Sequence, residues 1–230
     1  DQRNREDLLS LCLFYSSSDP AARITVDEYI NTMPEGQDDI WYVTAKSATI
    51  AGASPHLEAF RDRGWKVLFL TDPIDSIWVD YLTEYKGKRF RSVMKEEPPV
   101  AGEKADDKTQ DEAAEAQAKQ DESQPDGFAP LFEVIKTELF EFVKEVRASK
   151  RLTSSPVCLV SDEYDMTPQL EQILRAAGQD VPKVKRVLEL NIGHEIARKL
   201  HEIHSSDPSD PRLKDYSRLL YGSALLAEGL

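Results

Sequence analysis

One run of 33 residues, KEEPPVAGEKADDKTQDEAAEAQAKQDESQPDG from Lys95 to Gly127, limits what the chain can fold into more than any other feature. It contains no aromatic residue and almost no large aliphatic one, so it buries too little apolar surface to offset the entropy of ordering it. Four lysines stand there against eleven acidic residues, which places −7 of the chain's net charge of −13 in this stretch. DEAAEAQAK within it has good helix formers but no apolar face to dock. The reading is a solvated acidic linker over 95–127, joining a segment 1–94 to a segment 128–230. At roughly 100 to 200 residues per domain, each segment has the size of one small domain.

Charge and cysteine usage exclude several classes. With 29 basic residues against 42 acidic ones, the chain is a poor duplex-coating nucleic-acid binder and a poor polybasic membrane surface. No stretch approaches the roughly 20 apolar residues of a spanning helix. Cys12 and Cys158 form no CxxC pair, which argues against a disulfide scaffold or a cysteine-built zinc site and fits a reducing compartment. No charged and then apolar leader follows Asp1, so no signal peptide is visible and the start reads as that of an excised piece. The expectation is a cytoplasmic protein with neither nucleic acid nor membrane as partner.

Before the acidic stretch, helical and strand periods alternate. Thr25 followed by Glu28 is a capping-box signature ahead of a helix with Val26, Tyr29, Ile30 and Met33 on one side, stopped by Pro34 and Gly36. IWYVT at 40–44 and KVLFLT at 66–71 are continuous apolar runs and read as buried strands. Ser54 and Pro55 open a short helix between them, ending at Gly64, so this segment makes a βαβ unit with parallel strands. Asp72-Pro73 turns into IDSIWVDYL, read as helical, and Arg89–Val93 adds a third strand. The fold expected for 1–94 is a small α/β/α sandwich. After the acidic stretch, Leu131, Ile135, Leu139, Phe142 and Val146 recur at helical steps and predict one amphipathic helix from Ala129 to Ala148. Val157–Val160 and Lys185–Leu190 read as strands, and Pro211–Leu226 as a closing apolar helix. The fold expected for 128–230 is therefore α+β.

Little in the sequence marks a reaction. The turn after the first strand, AKSATIAGASPH, holds neither GxGxxG nor GxxxxGK[ST], so Ser47 and Ser54 read as loop and cap residues. His201 and His204 lie i, i+3 beside Glu195 and Glu202 without a third convergent ligand, and read as a solvated helix face. Asp38, Asp39, Asp162 and Glu163 read as solvent-facing turns. An alternative function is a small α/β enzyme with its ligand site at the carboxyl ends of the strands near 40–44 and 66–71, using Thr44, Lys46, Thr71 and Asp72.

Two apolar features stand out instead. Thr167 and Pro168 open a helix that carries Leu170, Ile173 and Leu174 on one face, with Met166 at its entrance and Glu171, Gln172 and Arg175 on the other. Either that face docks on the chain's own sheet, or it stays exposed as an adaptable sticky surface. Ile77 and Trp78 pose the same alternative, because adjacent residues on a short helix cannot both face one core.

Several blocks in order, NREDLLSLCLFYSSS, ITVDEYINTMPEGQDDIWYVT, LTDPIDSIWVDYLTEYKGKRF, AAGQDVPKVKRVLELN and YSRLLYGSALLAEG, resemble the ninety-kilodalton heat-shock chaperone family in its bacterial high-temperature protein G form. The resemblance spans nearly the whole chain outside the acidic stretch. It implies the end of that family's middle domain joined to its C-terminal dimerisation domain, in a protein driven by ATP and magnesium. It also implies that the ATPase domain is not in this chain, so the chain has no cofactor and is no enzyme by itself. Non-native client proteins are the implied partners, contacted through Ile77, Trp78, Asp80, Met166, Leu170, Ile173 and Leu174. The family's bacterial aromatic falls at Ile77, whereas this sequence carries its tryptophan one place on, so both remain candidate contacts. A homodimer is implied through Tyr216, Leu219, Leu220, Leu225 and Leu226. The family's last helix would follow Leu230, and its absence would weaken dimerisation and leave Leu219, Leu220, Leu225 and Leu226 uncovered.

Overall fold

The computed structural model describes residues 5–79, 81–99, 127–162, 165–182 and 184–229. Asp80, Glu163 and 100–126 of the expected linker lie outside the described residues. The architecture is α+β, with helices around two mixed sheets.

The first sheet has strand order β1-β3-β2-β5-β4, with β1 Tyr15–Ser16, β2 Ile40–Thr44, β3 Leu68–Leu70, β4 Glu84–Tyr85 and β5 Lys88–Ser92. β2 pairs in parallel with both β3 and β5. All five residues of β2 are buried, because alternate side chains serve two apolar clusters. Ile40 and Tyr42 pack with Leu9 of α1 (Arg5–Leu11) and with Val26 and Tyr29 of α2 (Val26–Asn31). Trp41 and Val43 pack with Ala51 of α3 (Ala48–Ala53) and Phe60 of α4 (Glu58–Asp62). The capping box forms as expected: Thr25 accepts from Glu28 N, and the Glu28 carboxylate accepts from Thr25 N at 2.8 Å.

Two local readings need correction. The segment after β2 is not all loop, since Ser47 caps α3 by accepting from Ile50 N. Ser54 is the cap expected, with Pro55 in the first turn, over a 3-10 turn at Pro55–Leu57 that leads into α4. The helix expected in IDSIWVDYL is only α5, Asp75–Trp78. After it, Lys86 and Gly87 both take positive φ, 49° and 77°, and close the β4–β5 hairpin in the backbone form a two-residue turn requires.

The second sheet has order β6-β8-β7, with β6 Val143–Ala148, β7 Val157–Val160 and β8 Arg186–Leu190. β8 pairs in parallel with β6 and antiparallel with β7. The single helix expected over Ala129–Ala148 is instead α6, Ala129–Glu138, followed by β6. A register shift between Val143 and Glu145 leaves Val143 and Val146 both buried on spacing that also fits a helix. β-branched residues and pairing to β8 decide for strand. α8 (Glu195–Ser206) and α9 (Pro211–Ala227) complete the core, Leu200 and Leu220 meeting Leu131, Ile135, Leu159 and Leu188. His201 is not simply solvated: it stacks on Phe128 at 4.5 Å and its Nε2 lies 2.9 Å from the Gly127 carbonyl oxygen.

Polar contacts join the two halves. Glu58 of α4 accepts from the backbone N of Thr153, Ser154 and Ser155 at 2.6, 2.8 and 3.0 Å. Arg151, almost fully buried, donates through Nη1 to the Val93 carbonyl at 2.8 Å and through Nε to Glu189 at 3.0 Å. The start of the expected linker belongs to this framework, because Glu96 pairs with Arg91 and Glu97 lies 3.5 Å from Arg151. Asp39 is likewise no solvent-facing turn residue; it is buried and accepts from Arg91 Nε at 2.5 Å. Asp162 is exposed and pairs with Lys144.

Burial pushes the Cys158 thiol well above its ordinary value, and the Glu189 carboxylate adds to that. Thiol alkylation of the native protein at neutral pH is therefore expected to modify the exposed Cys12 and spare Cys158 until the protein unfolds. Peptide mapping that finds both labelled at equal rates would contradict this.

Candidate functional site

The helix opened by Thr167 is α7, Pro168–Ala176. Thr167 accepts from Leu170 N at 3.4 Å, Pro168 occupies the first turn, and Gly178 ends the helix region with φ 79°. Its burial departs from its amphipathic pattern at two polar positions, although Gln172 and Arg175 stay exposed. Gln169 and Glu171 are buried, while Met166, Leu170, Ile173 and Leu174 are half-buried. Gln169 accepts from Thr44 Oγ1 at 3.1 Å. Glu171 accepts from Arg186 Nη2 at 3.2 Å and from Arg175 Nη2 at 2.6 Å. α7 is thus docked partly through polar side chains, and its apolar face is neither fully covered nor fully open.

α5 lies against α7, with its two candidate contacts turned different ways. Ile77 is 38% exposed. Trp78 is half-buried, its ring 5.8 Å from both Phe14 and Phe90, and its Nε1 donates to Asp75 Oδ1 at 2.8 Å. Burial holds the Asp75 carboxyl above its ordinary value despite the hydrogen bonds from Trp78 and the Asp72 backbone. Trp78 is therefore chiefly a core residue and Ile77 the outward one. Both also line an apolar groove of about 370 Å³ with Leu8, Leu9, Cys12 and Tyr81. Leu8 and Tyr81 are 62% and 70% exposed. These two were not singled out from the sequence, since α1 and the turn after α5 meet only in the folded chain.

The second half packs against the strand ends of the alternative enzyme reading and leaves a cavity there. Thr44 is bonded to Gln169, and Lys46 Nζ donates to the Gly229 carbonyl at 2.6 Å. Thr71 and Asp72 line a cavity of about 290 Å³ whose far wall includes Ile173 of α7. Among the described residues no group of three or more His, Cys, Asp or Glu side chains gathers as metal ligands. Nor is any helix of the described residues long and apolar enough to cross a membrane.

A second apolar surface lies on α9. Tyr216, Leu219 and Leu226 are exposed, the last two at 67% and 77%. A cavity of about 430 Å³ between α8 and α9 is lined by Ile196, Ile203, Tyr216 and Leu219 among others. Leu220, expected on this open face, is buried in the chain's own core, and Leu225 packs against that core.

The Hsp90 protein family model matches residues 1–230. The chain is 42% identical over 229 residues to the chaperone protein HtpG of Mycolicibacterium paratuberculosis. It is 44% identical over 229 residues to that of Mycolicibacterium vanbaalenii, and 43% identical over 230 residues to that of Geobacter sulfurreducens. Each match covers 100% of this chain and 34% of the relative. The chain thus spans about a third of the length of the curated relatives it matches.

Proposed function

The chain belongs to the Hsp90 family, and from that premise we propose that it holds non-native client proteins on an apolar surface formed by α7 and α5. The observation that carries this reading is the incomplete burial of the apolar face of α7. A helix that buries Gln169 and Glu171 and leaves Leu170, Ile173 and Leu174 partly open forgoes a fraction of the about 1.5–3 kcal/mol that full burial of each side chain supplies. That is a poor arrangement for core packing and a good one for a surface that accepts varied apolar segments. Ile77, Ile74 and Tyr81 add exposed apolar area near α5. Asp80 stays in the proposed surface on the resemblance alone. Client holding here is binding without bond-making, and the resemblance assigns ATP and magnesium to other parts of the family's proteins.

The same reading makes 1–94 the end of a middle domain, 95–127 a linker and 128–230 a dimerisation domain. Its homodimer contact falls on Tyr216, Leu219 and Leu226, with Leu220 and Leu225 supporting from beneath. Sedimentation of the chain against its Leu219→Ser/Leu226→Ser variant tests this, and identical association constants would count against it.

Met166→Ser combined with Leu174→Ser tests the client surface. A client that covers the open part of each side chain gains a fraction of the full-burial value, roughly 0.7 kcal/mol each, and about 1.4 kcal/mol is tenfold in affinity. The pair is therefore expected to weaken binding of an unfolded model client about tenfold, read by fluorescence anisotropy. The thermal midpoint of the variant is measured alongside, which separates loss of client binding from loss of the fold. Unchanged client affinity in a folded double variant would overturn the assignment.

A further inference from the structure

A line of buried charge joins α7, β8 and the end of α9. Arg186 opens β8 and is buried. Its Nη2 donates to Glu171 Oε2 on α7 at 3.2 Å, and its Nη1 donates to Glu228 Oε2 at 3.4 Å. Glu228 is the C-cap of α9. The other Glu228 oxygen faces His56 Nε2 at 3.6 Å, and the next residue, Gly229, accepts from Lys46. Arg151 Nη1 lies 3.5 Å from His56 Nδ1.

Glu171 and Glu228 carry like charge, and the forked guanidinium between them holds both at once. A nine-residue helix has little stability of its own, and the apolar face of α7 is only partly covered. Its pose therefore depends on a few polar anchors. We infer that Arg186 is a positioning residue through which the end of α9 sets the pose of the apolar face of α7. In the reading proposed above, on which this rests for its functional meaning, α9 carries the dimer contact and α7 the client contact. Arg186 would then link assembly to client holding.

The test uses methyl signals of Leu170, Ile173 and Leu174 in the full chain. Glu228→Gln removes charge at the α9 end without changing shape, and is expected to shift those signals. In an Arg186→Lys background the same change should leave them within about a quarter of that shift, because an ammonium is a point charge without the two-pronged geometry. A shift that persists undiminished in the lysine background overturns the inference, as does an absent shift in the parent. Should Arg186→Lys fold poorly, a cycle of Glu171→Gln and Glu228→Gln serves instead. It should show coupling on the order of threefold to tenfold in the unfolding constant, and coupling below about 1.5-fold rejects the idea. Client affinity is measured alongside. Coupled methyl signals with client affinity unaltered by Arg186→Lys would uphold the positioning role and reject α7 as the client contact.

Discussion

Glu189→Gln is expected to lower the unfolding free energy by about 3–5 kcal/mol, the range for removing one partner of a buried ion pair. Glu189 is wholly buried on β8. Its Oε1 accepts from Arg147 Nη2 at 2.8 Å, and its Oε2 from Arg151 Nε and Ser149 Oγ, both at 3.0 Å. Burial alone would push this carboxyl up, and the Arg151 and Arg147 guanidiniums overcome it and hold the carboxyl below its ordinary value. Without the carboxylate, Arg151 keeps its charge in a nearly dry site, with Glu97 at 3.5 Å as its remaining ion-pair partner. The cost then lies in the stranded cation more than in the lost attraction. For that reason Arg151→Met together with Glu189→Leu should recover much of the loss. Urea midpoints measured at constant slope give the comparison. A double variant no more stable than Glu189→Gln would show that the pair is needed for geometry, through the Arg151 bond to Val93, and not only for charge balance.

The second large effect belongs to Glu58. Its carboxylate sits in a nest of three successive backbone N–H groups, with the Ser154 hydroxyl donating at 2.9 Å. Burial opposes its ionisation, yet a serine hydroxyl and the backbone N–H groups of 153–155 together bring it down to about 2, from an ordinary value of 4.5. Because the folded value is the lower one, the stabilisation is fully present above about pH 4.5 and is lost as pH falls toward about 2. Glu58→Ala is expected to cost about 1.5–3 kcal/mol at neutral pH, since it removes the charged acceptor shared by three backbone N–H groups. Glu58→Gln should cost nearly as much, because its amide turns a donor toward donors. The stability difference between the parent and Glu58→Gln should therefore shrink between pH 4.5 and 2. A difference that stays constant across that window would place the effect of the residue in packing and not in its charge.

Both predictions concern contacts that no local pattern announces. Glu58 reads in the sequence as one more acid in an acidic chain, and Ser154 as a loop residue, yet they meet across 96 positions. Thr44 and Gln169 meet across 125. By contrast, the Thr25 capping box, the buried strand at Ile40–Thr44 and the Thr167-Pro168 helix start are legible because their partners lie within a few residues. The stretch from Ala129 to Ala148 was misleading for a related reason. Leu131, Ile135 and Leu139 do follow a helix, but Phe142 and Val146 continue the same spacing in and beside a strand whose register is shifted by a bulge. Spacing alone does not separate the two when a bulge breaks the strand period.

The candidate surface shows the division most clearly. From its residues alone, α7 could be placed, bounded and given an apolar side, and the pair Ile77 and Trp78 could be marked as unable to share one core. Which side of α7 is buried depends on whether Gln169 and Glu171 find partners, and those partners, Thr44 and Arg186, come from other elements. Likewise Trp78 turns inward because Phe14, Phe90 and Asp75 receive it, leaving Ile77 outside. Local sequence determined the elements and their apolar faces, because backbone preference and side-chain period act over one or two turns. Tertiary structure decided which faces are covered, because the free energy of burying a polar or charged group is settled by the partner that meets it.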